Sequence, residues 1–393
     1  MMPFAAPAPT TTAAAAPYWP LWAACFLGYA AIGMTIQVMP AYAHDRLGAD
    51  AVAAGLAVTI GSLATMVARP FAGRLADQRG GRRVVLIGAL LGLAGGLGHL
   101  VATTLPALVL ARLVLGAGEG ALFTAAIGWV LAQAEPARRG TIAGHFGLSM
   151  WTGLASGPVI GAALLAFDSY RSVWLAASLL PALAFGLVAR TPRMAAAPAA
   201  GADLRRAFFP RAAWLPGASN VFASVGYGVI AAFLVPRFAA LQLAGQNLAL
   251  AVFGLTFMVT RFAGSSSVDR FGARRVLLIA FVVEAAGLAG LSVAHTSWLA
   301  LACTAVTGAG LSMLYPCLAS LVTAAADPRE RSAALGAVTS AWDLGLAVGG
   351  PLGGLVAGTT NAGPFAVGAA AALIATLPLL LRPRVLLVPR QQE

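Results

Sequence analysis

The chain has 393 residues, 60% hydrophobic and 10% charged, with a mean hydropathy of +0.85. That excludes a soluble globular domain, in which about 25% of residues are charged. The net charge of +12 is carried by 25 basic residues, every one an arginine, and they gather on no soluble face with interleaved aromatics, which excludes a nucleic-acid binder.

Residues 1–17, MMPFAAPAPTTTAAAAP, lack a basic leader region and are expected to be a disordered cytoplasmic tail. Twelve apolar stretches follow, at 19–42, 51–68, 84–104, 106–133, 141–167, 172–190, 214–238, 245–263, 275–295, 297–325, 332–358 and 363–381. Each is near the ~20 residues needed to cross a hydrocarbon core of about 30 Å. All should be helices, because lipid offers a backbone no hydrogen-bond partner but its own. Residues 191–213 form the one long polar interruption, a cytoplasmic linker with room for a short surface helix near Leu204–Phe209. The expected organisation is therefore a six-helix bundle over 18–190, the linker, a second bundle over 214–382 and a cytoplasmic tail over 383–393.

Sorting the arginines by connection orients the chain. With the N-terminus inside, 21 stand in or at the edge of the even-to-odd connections and the tails. Three, Arg46, Arg171 and Arg237, fall on the opposite side, and Arg112 alone is expected inside a span. This positive-inside bias places both termini in the cytoplasm. Cys25, Cys303 and Cys317 all lie in apolar spans, with Cys303 and Cys317 about 21 Å apart along one helix, so neither a disulfide nor a metal framework follows. No zinc-binding HExxH, Walker A loop or GxSxG elbow is present in a plausible context, and the chain is read as a transporter without cofactor or metal, not an enzyme.

The chain also repeats itself. Arg69–Arg83 reads RPFAGRLADQRGGRR and Arg261–Arg275 reads RFAGSSSVDRFGARR, an offset of 192 residues (261 − 69). Arg69, Asp77, Gly80, Arg82 and Arg83 map onto Arg261, Asp269, Gly272, Arg274 and Arg275. Gly144, Gly153, Gly157 and Gly161 map onto Gly336, Gly345, Gly349 and Gly353 at the same offset. Two halves that start on the same side are parallel repeats about an axis along the membrane normal. Asp77 recurs with its flanks, which simple topogenic arginine does not explain, so these ten residues are candidates for a cytoplasmic gate.

The repeated loop resembles the signature of the major facilitator superfamily, Gly-x-x-x-Asp-(Arg/Lys)-x-Gly-(Arg/Lys)-(Arg/Lys). Gln78 and Gly81 replace basic residues in the first copy, and Ser265 and Ala273 depart from the pattern in the second. Span count, linker position and parallel repeat agree with that family, which implies an all-α membrane protein of two pseudo-symmetric six-helix bundles. The family geometry places spans one, four, seven and ten around a central cavity, with two, five, eight and eleven beside them.

In the fifth span, Gly144, Gly153, Gly157, Pro158 and Gly161 resemble the family's antiporter motif, with Ala162 in place of its last glycine. Glycines four apart make a smooth face for a neighbouring helix, and Pro158 bends the helix there. In the fourth span, Arg112, Gly116, Glu119 and Phe123 share one helical stripe. Arg112 with Gly116 and Gly118 resembles the family's fourth-span motif, in which the arginine is tied to proton coupling. The second half has Thr304 and Leu311 instead of Arg112 and Glu119. A charge at mid-membrane costs about 2.5–3.5 kcal/mol on insertion scales. Arg112, Glu119, Glu284 and Asp343 must therefore be paired, protonated or facing water. Glu119, Arg112 and Asp343 are the candidates for proton coupling, whereas Glu284 sits on the peripheral ninth span. Gln37, Trp151, Asn220, Tyr227 and Tyr315 are candidates for lining a substrate pocket.

ARPFAGRLAD, ASVGYGVIAAFL and WDLGLAVGGPLGGLVAG are similar to a bacterial subgroup of twelve-span exporters of the arabinose-efflux or drug-efflux type. The reading is a monomeric proton-coupled antiporter in a bacterial inner membrane, exporting a small organic solute by alternating access. Its rivals are a proton-coupled uptake symporter and a transport-dead receptor on the same fold.

Overall fold

The structure, a computed structural model, describes residues 17–134, 139–167, 169–192, 210–264, 266–326 and 331–381. At Asp77, Gly144 and Asp269 it describes the backbone path alone, so what was expected of these three lies outside the described residues, as do the tails and the helix near Leu204–Phe209. Twelve helical segments cross the molecule. The first six are Tyr18–Leu47, Ala51–Thr59 continuing as Gly61–Arg79, Gly81–Val101, Leu105–Ala132, Arg139–Phe167 and Tyr170–Ala189. The last six are Trp214–Ala240, Gln246–Gly264, Ala273–Val293, Ser297–Ser312 continuing as Leu314–Ala325, Arg331–Leu355, and Gly363–Ile374 continuing as Leu377–Leu381. Eleven are long and apolar enough to span a bilayer among the described residues; the remaining one is Arg331–Leu355.

Helix packing repeats with the sequence. Span one packs on five and six, span four on two and three, and span three on six. Adding six to each number gives the second half: seven on eleven and twelve, ten on eight and nine, nine on twelve. The halves meet where span two packs on eleven and five on eight, pairs that exchange under the same operation. The fold is thus two six-helix bundles related by a pseudo-two-fold axis.

Local chemistry sets the corners. Gly80 (φ 89°, ψ 139°) and Gly272 (φ 82°, ψ 136°) join spans two to three and eight to nine in one shared backbone conformation, which a side chain disfavours. Beyond these glycines Arg82 donates to the carbonyls of Ala189 at 2.6 Å and Thr191 at 3.2 Å, and Arg274 donates to that of Leu379 at 3.1 Å. Each arginine therefore ties down the orphan carbonyls at the end of the last span of its own half.

The glycines of span five form a track for span one. A Cβ at Gly153 would meet the backbone of Phe26 and Ala30, and one at Gly157 that of Ala30 and Gly33. Span eleven does the same for span seven, with Gly345 against Val221 and Gly349 against Val225 and Gly228. The glycine pattern thus serves close packing inside each bundle, and equally in both.

Candidate functional site

A cavity of about 1330 Å³ lies between the halves. Among the described residues its walls come from spans one, two, four, five, seven, eight, ten and eleven, and from none of three, six, nine and twelve. The cavity reaches the arginine-rich face, where Arg74, Gln78, His145 and Gly336 line it. Toward the other face it stops near Ile36, Ala231 and Leu346. Beyond that level spans two and eleven touch through glycine. A Cβ on Gly55 would stand inside the carbonyl of Gly350, and one on Gly354 against Val52. The Thr59 hydroxyl donates to the Ala347 carbonyl at 3.0 Å across the same seam. Gly254 packs against Ala155 where spans eight and five meet. Among the described residues the molecule is open on its arginine-rich face and closed on the other.

One wall of the cavity is ionic. Arg69 Nε donates to Asp343 Oδ2 at 2.9 Å, an ion pair that joins span two to span eleven. Asp343 is 5% exposed and Arg69 15%, so the pair is mostly shielded yet borders the cavity. Glu119 faces the same space; the Thr65 hydroxyl reaches its Oε2 at 3.5 Å, the outer limit of a hydrogen bond. Arg112 is buried and donates to Thr35 Oγ1 at 2.7 Å and to the Val58 carbonyl at 2.5 Å, bracing span four against spans one and two.

The opposite wall is aromatic. Trp151 stacks on Phe257 with centroids 3.7 Å apart, and Tyr227 and Trp342 approach Trp151 edge-on at 6.4 Å. The Arg261 guanidinium lies over the Phe257 ring at 5.1 Å. Asn220 Nδ2 donates to the Val338 carbonyl at 2.8 Å.

Several expectations change. Arg69 and Arg261, counted with the connections, sit inside helices: that of Arg69 runs past the expected boundary at residue 68 to Arg79, and Arg261 falls within the expected 245–263 span, whose helix ends at Gly264. A cavity wall and, for Arg69, a carboxylate partner make a charge tolerable there, so Arg112 is not the one arginine within a span. Arg69 thus stands apart from the Gly80 corner. Of the pocket candidates, Trp151, Asn220, Tyr227 and Tyr315 line the cavity; Gln37 does not, being packed in the interior of span one with its Oε1 unpartnered. Glu284 also lies off the cavity, fully buried with both oxygens unpartnered. Sequence reasoning missed Phe257 and Trp342, which read as ordinary apolar positions, and missed that Arg69 pairs with Asp343. Among the described residues no cluster of three or more His, Cys, Asp or Glu could hold a metal ion.

Comparison with known proteins fits this geometry. The model of the Major Facilitator Superfamily matches residues 21–243 and 217–392. An uncharacterized MFS-type transporter of Pseudomonas aeruginosa (strain LESB58) is 34% identical over 340 residues, 84% of each chain. The uncharacterized MFS-type transporter YhhS of Escherichia coli (strain K12) is 32% identical over 364 residues, 90% of this chain and 89% of the relative. Among solved structures, a mutant of the nucleoside transporter NupG superposes with a TM-score of 0.77 at 14% identity, covering 93% of this chain and 99% of the other, a likeness of fold alone.

Proposed function

The chain belongs to the Major Facilitator Superfamily and is a multi-pass secondary transporter, and we propose that it is a proton-coupled antiporter exporting a small organic solute from a bacterial cytoplasm. The arginine-rich face is then cytoplasmic, and the cavity is open to the compartment from which cargo is loaded. Its volume exceeds the 300–1,000 Å³ common for small-molecule sites, leaving room for solute and water together.

The observation that carries the reading is the Arg69–Asp343 pair. It is an ionic bond between the two halves, in the wall of the cavity, and one proton can remove it. Protonating Asp343 leaves Arg69 without its anion and frees spans two and eleven to separate. Glu119, on the same wall, is the proton carrier, and Arg112 holds span four in register with spans one and two. In the opposite conformation the Gly80 and Gly272 corners, with Asp77, Arg83, Asp269 and Arg275, close the cytoplasmic mouth.

The glycine track of span five recurs in span eleven, so it favours neither direction of flux, and proton-coupled uptake is the second reading. A solute panel added to inverted membrane vesicles decides. Proton release from the lumen on addition of one solute, lost in Asp343→Asn and Glu119→Gln, is the outcome expected of an antiporter. Release that persists in both variants refutes the coupling assignment.

A further inference from the structure

The duplication supplies an arginine on each side of the cavity but a carboxylate partner on one side only. At the offset of 192 residues, Arg69 corresponds to Arg261, Thr65 to Phe257, Glu119 to Leu311 and Asp343 to Trp151. All eight of these residues line the one cavity. In the interface of spans two and eleven the arginine meets Asp343 at 2.9 Å. In the equivalent interface of spans eight and five the aspartate is replaced by Trp151, and Arg261 lies over Phe257, the ring stacked on that tryptophan. Its Nε is buried without a hydrogen-bond partner.

A guanidinium over a ring carries its N–H donors at the rim of its own plane, and a carboxylate matches such donors bidentately. Arg69 is neutralised by Asp343 and Arg112 spends two donors on Thr35 and Val58, whereas Arg261 lines the cavity with, among the described residues, neither a hydrogen-bond partner at its Nε nor a carboxylate partner. Beside it stand the rings of Trp151, Tyr227 and Trp342, a surface suited to a flat apolar body.

We infer that Arg261 is the anion-recognition residue of the transport site and that the cargo is a small aryl carboxylate, its ring against the Trp151–Trp342 wall and its carboxylate on Arg261. The inference rests on the transporter reading above and specifies its substrate class. The site is asymmetric by construction: one arginine is occupied by protein for coupling, and its duplicate is left for the cargo.

The test measures binding to the purified full-length protein in detergent by isothermal titration calorimetry, with indole-3-acetate, its uncharged amide and tryptamine as probes. The acid is expected to bind at least tenfold more tightly than the amide and the amine. Arg261→Gln should abolish that preference, and Arg261→Lys, which keeps the charge without the fork, should retain part of it. Elution as a single folded species in size-exclusion chromatography qualifies each variant. Equal binding of the three probes, preference for the amine, absence of binding by all three, or a preference unchanged in folded Arg261→Gln each overturns the inference. None of these results touches proton coupling, which the vesicle assay reads separately through Glu119 and Asp343.

Discussion

Arg69 and Asp343 lie 274 positions apart in sequence and 2.9 Å apart in space, one from each six-helix bundle. Among the described residues the pair is the ionic fastening between the halves, which also meet through glycine contacts and the Thr59–Ala347 hydrogen bond. Breaking it from either side should differ in consequence. Asp343→Asn leaves Arg69 as an uncompensated cation in the wall and is expected to lower proton-driven transport at least tenfold. Arg69→Ala together with Asp343→Ala removes both charges, and its thermal stability should exceed that of Arg69→Ala alone, because no unpaired carboxylate remains. Unfolding followed in detergent, alongside vesicle transport, checks both statements. Equal stability of the double variant and Arg69→Ala would show that an unpaired Asp343 carboxylate carries no cost.

Glu119 and Asp343 should separate by partial reaction. Glu119→Gln is expected to exchange solute down its own gradient while losing accumulation driven by a proton gradient, by about tenfold or more. Raising the pH difference across the vesicle should accelerate the unmodified protein and leave Glu119→Gln unchanged. Counterflow and gradient-driven uptake in the same preparation distinguish the two behaviours.

The glycine seam between spans two and eleven predicts a conformational variant. A side chain at Gly350 must displace the backbone of Gly55 and the Thr59 hydroxyl, so Gly350→Val should disfavour the closed outer face. Spin labels at Val52 and Leu355 are expected to show a longer mean separation in that variant. An unchanged distance distribution in folded protein would mean the seam does not set the equilibrium.

Arg82 and Arg274 offer a graded comparison. Arg82 satisfies two carbonyls at the end of span six, whereas Arg274 satisfies one on span twelve. Loss of a hydrogen bond from a charged donor costs about 1.5–3 kcal/mol. Arg82→Ala should therefore lower the unfolding temperature more than Arg274→Ala does, which thermal unfolding in detergent measures directly.

The architecture was legible because lipid imposes a length and a helical backbone on each crossing, and because the 192-residue repeat carries packing with it. The cavity positions of Glu119 and Asp343 followed from the family resemblance and from the cost of burying charge. Arg69 was not legible in that way. Hydropathy ends the second span before it, while the helix continues through Pro70 to Arg79, since a helix bordering a polar cavity need not stay apolar. Arg112 was placed beside Glu119 by helical spacing, yet its donors go to Thr35 and Val58, partners on other spans that no local pattern reveals. Gln37 shows the same limit. Helical position alone does not say which face of the first span looks into the cavity.

The contact at Gly55 and Gly350 also bears on the mechanics of the transport cycle. Backbone rests on backbone at these glycines, and the Thr59 hydroxyl adds a hydrogen bond across the seam. Parting such surfaces uncovers less apolar area per contact than parting large side chains would, at about 25 cal/mol per Å² exposed, and releases the Thr59–Ala347 hydrogen bond. A seam of this kind has the build of a smooth bearing: it seals by proximity of two backbones at Gly55 and Gly350.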